Sequence, residues 1–292
     1  MRRHPDRRRV VLATASAVLG ALTLSGCSDT LWRGFLPGYS DHEVTDHTGQ
    51  ISALWRGSWI AALAVGVLTW GLILWCVAAY RKRRDDDTLP VQLRYHVPLE
   101  IMYVILPILM VGVLYYATNK SMSDITTVKG DADVHIQVIG KQWSWDVNYT
   151  DSGVYDTGVQ AQDLGTDPAA VGDGLVTIWL PVDEKVRFTI DSRDVIHSFW
   201  VPAFLFKMDA IPGHTNHFDV TPTRVGTYQG KCAELCGEYH AAMLFNVKVV
   251  TKAEYEQHLA DLKAAGKTGS LGLDLSRLQD VHGVTATPGA HS

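Results

Sequence analysis

Hydrophobic residues are distributed in two different ways along this chain. The first part holds three long apolar runs, and the part after Lys120 holds many short segments in which apolar and polar residues alternate. A helix needs about 20 apolar residues to cross the hydrocarbon core of a membrane. The second run, Trp59–Tyr80, and the third run, Val97–Ala117, therefore predict two transmembrane helices, at about residues 55–80 and 97–117.

Positive charges between these two runs predict their orientation. Arg81-Lys82-Arg83-Arg84 follows the second run directly, and short loops rich in lysine and arginine stay on the cytoplasmic side. Because the link to the third run is short, we expect an antiparallel transmembrane hairpin over residues 53–118. Both ends of this hairpin would then lie outside the cytoplasm.

The first apolar run has the pattern of an export signal. Five arginines precede Val10–Leu24, whose length suits the apolar core of a signal peptide. Small residues before Cys27 resemble the lipobox of bacterial lipoproteins, so we expect residues 1–26 to be a lipoprotein-type signal peptide and Cys27 to carry the lipid. An ordinary signal cleaved nearby and an uncleaved anchor are the alternatives. Residues 27–52 would then form an extracytoplasmic segment.

The alternating segments predict an all-β domain over residues 121–252. Val, Ile, Trp, Tyr and Phe alternate with polar residues, and turn-forming residues separate the segments, as in β-sandwiches and barrels. The predicted strands are Val134–Ile139, Gln142–Tyr149, Leu175–Leu180, Val186–Ile190, Val195–Val201, His217–Val220, Val225–Gln229 and Leu244–Val250. Residues 150–174 are polar and aperiodic, which predicts an exposed excursion. The pattern predicts a short amphipathic helix within Thr251–Ala265. Residues 253–292 are therefore expected to form this helix and then a disordered tail.

Composition and charge narrow the class of protein. The chain is 47% hydrophobic and carries a net charge of −5 at pH 7. It therefore lacks the composition of a disordered protein and the basic footprint of a nucleic-acid-binding protein. An acidic chain instead suits a cationic protein partner. Of the four cysteines, only Cys232 and Cys236 are close enough in sequence for a local disulfide, so a disulfide framework is not expected.

Soft and borderline metal ligands are concentrated between Cys232 and Met243. This stretch holds the thiols of Cys232 and Cys236, the imidazole of His240 and the thioether of Met243, and a further imidazole, His197, lies upstream. Sulfur combined with imidazole suits copper or zinc better than magnesium or calcium. The sequence therefore predicts a metal centre formed by these residues.

The number of ligands favours two copper ions over the alternatives. A disulfide would leave His240 and Met243 without a role, and a structural zinc site seldom uses methionine. A mononuclear blue-copper site needs only one cysteine. Two thiolates can instead bridge two coppers, each of which then needs one imidazole and one weak ligand. His197, His240 and Met243 supply three of these ligands, and a backbone carbonyl between the cysteines can supply the fourth.

These motifs resemble those of subunit II of haem–copper cytochrome c oxidases, over nearly all of residues 45–255. The matching segments are Cys-x-Glu-x-Cys-x-x-x-His-x-x-Met from Cys232, His197-Ser198, Asp209–Gly213 and Gln142-Trp143-Ser144-Trp145. The resemblance implies a two-helix transmembrane hairpin followed by an all-β cupredoxin-like Greek-key barrel or sandwich. The lipobox and the long excursion favour an actinobacterial member of the family, located in the plasma membrane.

The resemblance also implies a role for each ligand. In such subunits both thiolates bridge the two coppers of the CuA centre. His197 and Met243 would complete one copper, and His240 and the backbone carbonyl of Glu234 the other. The side chain of Glu234 would help to bind a magnesium ion shared with subunit I.

Two further residues acquire a role only through the resemblance. On the strand pattern alone Trp143 would be a core residue, and Glu100 would be a carboxylate at the membrane interface. The resemblance makes Trp143 the exposed residue at which electrons arrive from cytochrome c, and it places Glu100 at the mouth of a proton channel shared with subunit I. His214 stands where the family commonly has arginine. We expect it and the nearby His217 to be polar interface residues, not metal ligands.

The implied function is electron transfer within a proton-translocating oxidase. Electrons would pass from cytochrome c, or from a membrane-bound cytochrome c of a neighbouring complex, to the copper pair and then to the haem of subunit I, which reduces oxygen to water. Expected partners are subunits I and III and the membrane, and no nucleic acid. The excursion over residues 150–174 is hypothesised to dock the cytochrome. The alternatives are a quinol oxidase subunit of the same fold, which usually lacks the copper ligands, and a membrane-tethered copper-binding or delivery protein.

Overall fold

The computed structural model describes residues 33–36, 43–81, 89, 92–164 and 174–275. The predicted signal peptide, Cys27 and most of the basic link lie outside the described residues. The chain divides into two compact units. One unit includes Ser52–Thr118, and the other consists of Pro37–Ile51 and Asn119–Ser292.

Within the described residues, two long helices precede the strands, α1 (Thr48–Ala79) and α2 (Val97–Thr126). Both are long and apolar enough to cross a membrane, and most of their apolar side chains are exposed, as surfaces that face lipid should be. Each helix extends beyond its predicted bounds. The 32 residues of α1 span about 48 Å, whereas a hydrocarbon core is about 30 Å thick. Hydropathy therefore predicts only the apolar, membrane-spanning part of each helix. Each helix continues into polar residues beyond that part, and no proline interrupts these residues.

In the part of the chain that the structure describes, ten strands form two five-stranded sheets, which confirms the predicted β-sandwich. The strands are β1 (Val134–Lys141), β2 (Ser144–Tyr149), β3 (Val154–Thr157), β4 (Thr177–Pro181), β5 (Val186–Ser192), β6 (His197–Val201), β7 (Phe206–Ala210), β8 (Asn216–Val220), β9 (Gly226–Cys232) and β10 (Leu244–Val250). The strand order is β3-β2-β1-β5-β8 in the first sheet and β4-β10-β9-β6-β7 in the second.

The order of the strands brings distant parts of the chain together. Most neighbours are antiparallel, but β1 pairs with β5 and β4 pairs with β10 in parallel. Parallel neighbours cannot be joined by a tight hairpin, so the chain passes repeatedly from one sheet to the other. In this arrangement β6 lies beside β9, with Phe199 opposite Cys232. His197, which begins β6, is thereby brought close to Cys232, which ends β9.

Aromatic side chains connect the hydrophobic core to the end of the sandwich that holds these residues. Phe199 stacks on Phe245 with ring centroids 4.7 Å apart, and the buried Trp145 meets Phe245 edge to face at 5.3 Å. The ring of Trp145 also lies 6.0 Å from that of His197. Burying an aromatic side chain such as Phe245 is worth about 1.5–3 kcal/mol. The packed rings therefore give His197 a rigid support.

Two strands were not predicted from the pattern. Strand β3 lies inside the predicted excursion and pairs antiparallel with β2. It is short, and Val154 is its only apolar residue that is fully buried, so its alternation is weak in the sequence. Strand β7 pairs with β6 after a 3-10 turn, Pro202–Phe204, that ends with Leu205 in the left-handed region. The prediction of an exposed excursion is thus wrong for Val154–Thr157, and residues 165–173 lie outside the described residues.

The region after β10 is more ordered than the sequence predicts. Helix α3 (Lys252–Ala264) begins at a capping box between Thr251 and Glu254, near its predicted bounds. Residues 266–275, here called the C-terminal strap, then pack on the β-domain instead of being disordered. Leu271 is 5% exposed, and Asn148 bonds to its backbone N–H and carbonyl at 2.8 and 3.0 Å. The prediction of a disordered tail is wrong for this segment, and the residues from 276 onward lie outside the described chain.

Gly230 on β9 provides a test of this packing. A Cβ at this position would lie 2.2 Å from ring atoms of Phe245, so Gly230→Ala should displace that ring from Phe199. We expect a loss of about 1–3 kcal/mol in unfolding free energy from overpacking, measured by thermal or denaturant unfolding of the full chain in detergent. Thr227→Ala, at an exposed position of the same strand, should cost less than about 0.5 kcal/mol. Equal losses in the two variants would contradict the close approach.

Candidate metal centre

The predicted copper ligands come from three parts of the β-domain that meet at one end of the second sheet. His197 starts β6, Cys232 ends β9, and Met243 directly precedes β10. The N–H of Cys232 donates to the carbonyl of Met243 at 3.0 Å, and the N–H of Ala233 donates to the carbonyl of Ser198 at 3.0 Å. Backbone hydrogen bonds therefore position the ligands on all three strands before any metal binds.

The donor atoms of the ligands converge on the two sulfurs. The Sγ atoms of Cys232 and Cys236 are 3.7 Å apart, and both thiols are free. The Nδ1 atom of His197 is 3.8 Å from the first sulfur, and the Nδ1 atom of His240 is 3.5 Å from the second. The Sδ atom of Met243 lies 3.7 Å from the sulfur of Cys236. The predicted side-chain ligands are thus all brought together, with one imidazole beside each thiol.

These separations fit metal ligands better than a disulfide. A disulfide bond is about 2.05 Å long, far shorter than the 3.7 Å between the two sulfurs. Two thiolates that bind one metal at about 2.3 Å in tetrahedral geometry lie about 3.8 Å apart. The carbonyl oxygen of Glu234 is 3.2 Å from the sulfur of Cys232, so it also faces the centre. The donor set of two thiols, two imidazoles, a thioether and a carbonyl is one that suits copper.

The centre is buried on one side and reaches the surface on the other. His197, Cys232, Cys236 and Met243 are all less than 5% exposed, whereas His240 is half-buried. The side chain of Glu234 is exposed although its carbonyl points inward. Buried ligands exclude water from one face of the centre, and the exposed carboxylate of Glu234 is left accessible to a partner.

The two thiols share their protons unequally. The hydrogen bond from Cys236 lowers the pKa of Cys232 to about 3, with further help from His197 and the Ser198 backbone, although burial opposes the shift. The hydrogen bond to Cys232, then burial, and then the negative charge of Cys232 raise the pKa of Cys236 far above its usual range. The pair therefore carries a first negative charge readily and a second one only when a cation compensates for it. Metal binding requires both thiolates, so a cation between them is strongly favoured.

Asp194 orients His197 and was not identified from the sequence. Its Oδ1 atom lies 2.8 Å from Nε2 of His197, which leaves Nδ1 facing the thiols. Burial opposes charge on both groups and is the largest single effect, but several smaller effects together outweigh it. The pKa of Asp194 is lowered by His197 and by the backbone N–H groups of Gln142 and Val195. The pKa of His197 is raised by Asp194 and Cys232. Such a carboxylate–imidazole pair is a common support for a metal-binding histidine. The only signal in the sequence is an acidic residue three positions before the histidine.

The Gln142-Trp143 segment contacts the loop between the cysteines. The indole Nε1 of Trp143 donates to the carbonyl of Cys236 at 3.1 Å, and Nε2 of Gln142 donates to the same oxygen at 2.7 Å. Trp143 is half-buried, and its ring lies 5.0 Å from that of Tyr239. The predicted electron-accepting tryptophan is thus hydrogen-bonded to the backbone of a thiol ligand.

Gly237 allows this contact. Its φ is +120°, and a Cβ there would lie 2.9 Å from the ring of Trp143. A glycine is therefore required at this position of the motif both by the backbone conformation and by the tryptophan. The sequence shows the glycine but not the ring that it faces.

The remaining predicted residues are not members of this cluster of ligands. Glu100 belongs to the helical unit, in the first turn of α2, where its carboxylate accepts from the N–H of His96 at 2.9 Å. His214 and His217 are exposed, and His217 bonds to Thr189 at 3.2 Å. Among the described residues, the candidate metal-ligand group does not include either histidine. Cys27 lies outside the described residues.

Comparison with known proteins identifies related sequences over most of the chain. The model of the family described as "Cytochrome C oxidase subunit II, periplasmic domain" matches residues 134–250. A "Probable cytochrome c oxidase subunit 2" of Streptomyces coelicolor is 43% identical over 298 residues, covering 91% of each chain. The "Cytochrome c oxidase subunit 2" of Mycobacterium tuberculosis is 33% identical over 321 residues, covering 92% of this chain and 86% of the relative.

Solved structures are similar to the β-domain. The periplasmic domain of subunit II of cytochrome oxidase from Bradyrhizobium japonicum is 34% identical in sequence and has a TM-score of 0.43. The match covers 47% of this chain and 99% of that one.

The Asp194–His197 pair predicts a pH-dependent contribution to stability in the metal-free chain. The raised pKa of His197 means that its contribution is fully present below the usual 6.5 and is lost as the pH rises through the raised value. The lowered pKa of Asp194 means that its contribution is present above the usual 3.8 and is lost as the pH falls further. Asp194→Asn should therefore cost most at pH 5, about 1.5–3 kcal/mol for a charged hydrogen bond.

Thermal unfolding of the metal-free full chain in detergent, followed by tryptophan fluorescence at pH 5 and pH 8.5, measures this difference. Glu256→Gln, at an exposed position of α3, is the matched control and should have little effect at either pH. A cost of Asp194→Asn that is the same at both pH values would contradict the charged pair.

Proposed function

The chain belongs to the cytochrome c oxidase subunit II family, and from this membership and the geometry of the metal centre we propose that it delivers electrons to a copper-containing terminal oxidase. The relatives in Streptomyces and Mycobacterium confirm the family that the motifs predicted. The chain is a membrane-anchored oxidase subunit that works with other oxidase subunits and a redox partner. The finer assignments that follow are part of the proposal.

One observation carries the proposal: two buried thiols lie 3.7 Å apart with an imidazole nitrogen beside each. His197, Cys232 and Cys236 form a group that can hold a metal ion. We assign both thiolates as ligands that would be shared by two coppers. His197 and Met243 would complete the ligand set of one copper, and His240 and the carbonyl of Glu234 that of the other. When bound, the copper pair would supply one-electron redox chemistry between cytochrome c and the haem of subunit I.

The residues around the centre keep its geometry nearly the same in both redox states. Asp194 fixes the ring of His197, and Gln142 and Trp143 fix the carbonyl of Cys236. The ligands themselves are held by backbone hydrogen bonds of a packed β-sandwich. A site that does not have to rearrange when its charge changes exchanges electrons with a smaller barrier, and its packing and hydrogen bonds tune the potential.

Trp143 is assigned as the residue at which electrons arrive. It is partly exposed and is hydrogen-bonded to the backbone of a bridging ligand, so it connects the surface to the centre by one hydrogen bond. The net charge of −5 favours a cationic donor such as a cytochrome c, free or bound to a neighbouring complex, through electrostatic steering.

Electrons are assigned to leave on the side of Glu234, whose exposed carboxylate would share a magnesium ion with subunit I. Glu100 is assigned to the mouth of a proton channel shared with that subunit, and subunit III is a further partner. The link between α1 and α2 is assigned to the cytoplasm, which the basic Arg81-Lys82-Arg83-Arg84 supports. The copper domain and both ends of the mature chain then lie outside.

Copper content and spin-resonance spectra of the full chain in detergent test the two-copper assignment. We expect two coppers per chain and, when one electron is present, a mixed-valence signal shared by both ions. Cys236→Ser removes one bridging thiolate, so the copper content should fall to one or none and the shared signal should disappear. Cys76→Ser, at an exposed position of α1, is the matched control and should change neither.

Single-copper loading of the wild-type chain would instead favour a copper-binding or delivery protein. An unchanged shared signal in Cys236→Ser would show that this thiolate is not a bridge.

The role of Trp143 predicts a separation of electron transfer from copper binding. Trp143→Phe keeps an aromatic ring but loses the hydrogen bond to Cys236. Electron transfer from reduced cytochrome c to the assembled oxidase should slow by about tenfold, which equals about 1.4 kcal/mol in the barrier, while two coppers remain bound. Trp179→Phe, a change in a ring that stacks on His258, should leave the rate unchanged. Equal rates in the wild type and Trp143→Phe would exclude this route.

A further inference from the structure

A buried cluster of charged side chains adjoins the residues that support the metal centre. We call it the ion cluster; it consists of Lys141, Asp146 and Arg193. The carboxylate of Asp146 is fully buried and accepts from Nζ of Lys141 at 2.7 Å, while Nη1 of Arg193 bonds to its other oxygen. The side chains of Lys141 and Arg193 are each 2% exposed. Thr157 bonds to the same carboxylate.

Burying the charged side chains of the ion cluster costs free energy of desolvation. Two cations share one carboxylate, so the cluster buries a net positive charge, and burying charges costs several kcal/mol per ion before their attraction compensates. Among the described residues, Nη2 of Arg193 also has no hydrogen-bond partner. An apolar core of the same volume would be at least as stable. The geometry that these three side chains impose is therefore a better reason for their presence than stability.

The C-terminal strap closes the ion cluster. The carbonyl of Gly272 accepts from Nε of Arg193 at 2.8 Å. Leu271 is buried beside Asn148, which bonds to its backbone on both sides. Near its start the strap is fixed by an ion pair between Lys267 and Asp156 at 2.6 Å. The strap therefore supplies a direct ligand to the cluster and excludes solvent from it.

On one side, the ion cluster is joined to the metal centre through β1. Lys141 lies between Gly140 and Gln142 in the chain. The ring of His197 packs so closely on Gly140 that a Cβ there would lie 2.8 Å from it. Gln142 donates to the carbonyl of Cys236 at 2.7 Å. A shift of Lys141 would therefore move the backbone that supports two copper ligands.

The other cation is joined to the same ligands through the turn after β5. The N–H of Arg193 donates to the carbonyl of Gly140 at 3.1 Å. The next residue, Asp194, accepts from the N–H of Gln142 at 2.7 Å and from His197 at 2.8 Å. Lys141 and Arg193 are thus each next in the chain to a residue that orients His197 or the loop between the cysteines.

We propose that the C-terminal strap positions the metal centre by closing the ion cluster. Arg193 is the positioning residue that transmits this effect, since among the described residues it alone bonds to the strap, to Asp146 and to the backbone of Gly140. With the strap in place, water cannot separate the ions, and the two backbone segments that adjoin them stay in register. Without it, His197 and the carbonyl of Cys236 lose their fixed orientation. The proposal rests on the proposed copper function, and its test includes a measurement on the metal-free chain.

Two substitutions test the strap without adding or removing a charge. Leu271→Ala weakens the packing of the strap, and Arg193→Lys keeps the cation but cannot bond to Gly272 and Asp146 together. In the full copper-loaded chain in detergent, each should release copper to a chelator about tenfold faster, the size of effect seen when supports of metal ligands are lost. The spin-resonance spectrum should change as well.

Matched controls separate positioning from a general loss of stability. Leu273→Ala alters an exposed leucine of the same strap, 46% exposed against 5% for Leu271, and should leave copper release and spectrum unchanged. Leu262→Ala removes a buried side chain of α3, so it should lower the unfolding temperature without altering the spectrum. A wild-type rate and spectrum in both Leu271→Ala and Arg193→Lys would overturn the proposal, even if both variants unfold at lower temperature.

Thiol labelling of the metal-free chain keeps this test independent of copper. Peptide mapping after brief exposure to an alkylating reagent reports Cys232 and Cys236 separately from the other cysteines. Both should label severalfold faster in Leu271→Ala than in Leu273→Ala or the wild type. If the wild-type chain bound no copper, the proposed function would fail, while faster labelling would still support the strap. Equal labelling in all variants would overturn the strap alone.

Discussion

The structure depends on holding two thiols 3.7 Å apart in a buried site without letting them form a disulfide. Such a pair resists carrying two negative charges, since the hydrogen bond between the thiols, their burial and the charge on Cys232 all raise the pKa of Cys236. A cation relieves this repulsion, so the empty pair and the metal-loaded pair differ strongly in free energy. Most of the surrounding structure can be understood as fixing the ligands at this separation before the metal arrives.

Two sets of interactions hold the ligands at this separation. Backbone hydrogen bonds between β6, β9 and the segment before β10 hold the ligands themselves. Side chains then hold the ligand rings and carbonyls, with Asp194 on His197 and the Gln142-Trp143 pair on the carbonyl of Cys236. The ion cluster and the C-terminal strap extend this support outward. The proposed electron-transfer route and the ligand support therefore share residues, and a change in one is expected to alter the other.

The sequence alone was sufficient for the chemistry and for the class of fold. Thiols, imidazoles and a thioether have few roles in common, so their spacing from Cys232 to Met243 predicted a copper centre and identified a family. Long apolar runs identified α1 and α2 because only a membrane suits them, and strong alternation identified eight of the strands. Weak patterns failed: β3 has only one fully buried apolar residue, and the strap is held mainly by polar contacts such as that between Asn148 and the backbone of Leu271.

Only the tertiary structure decided which residues act on the ligands from a distance in sequence. Asp194, Gly140 and the ion cluster look ordinary in the sequence, because hydrogen-bond partners 47 and 52 positions apart, as in Arg193–Asp146 and Asp194–Gln142, leave no local pattern. The pairing of β6 with β9 decides that His197 faces Cys232, and the path of the strap decides that Arg193 is buried. Residue types determined what the site can bind; strand order and packing determined how firmly it is held.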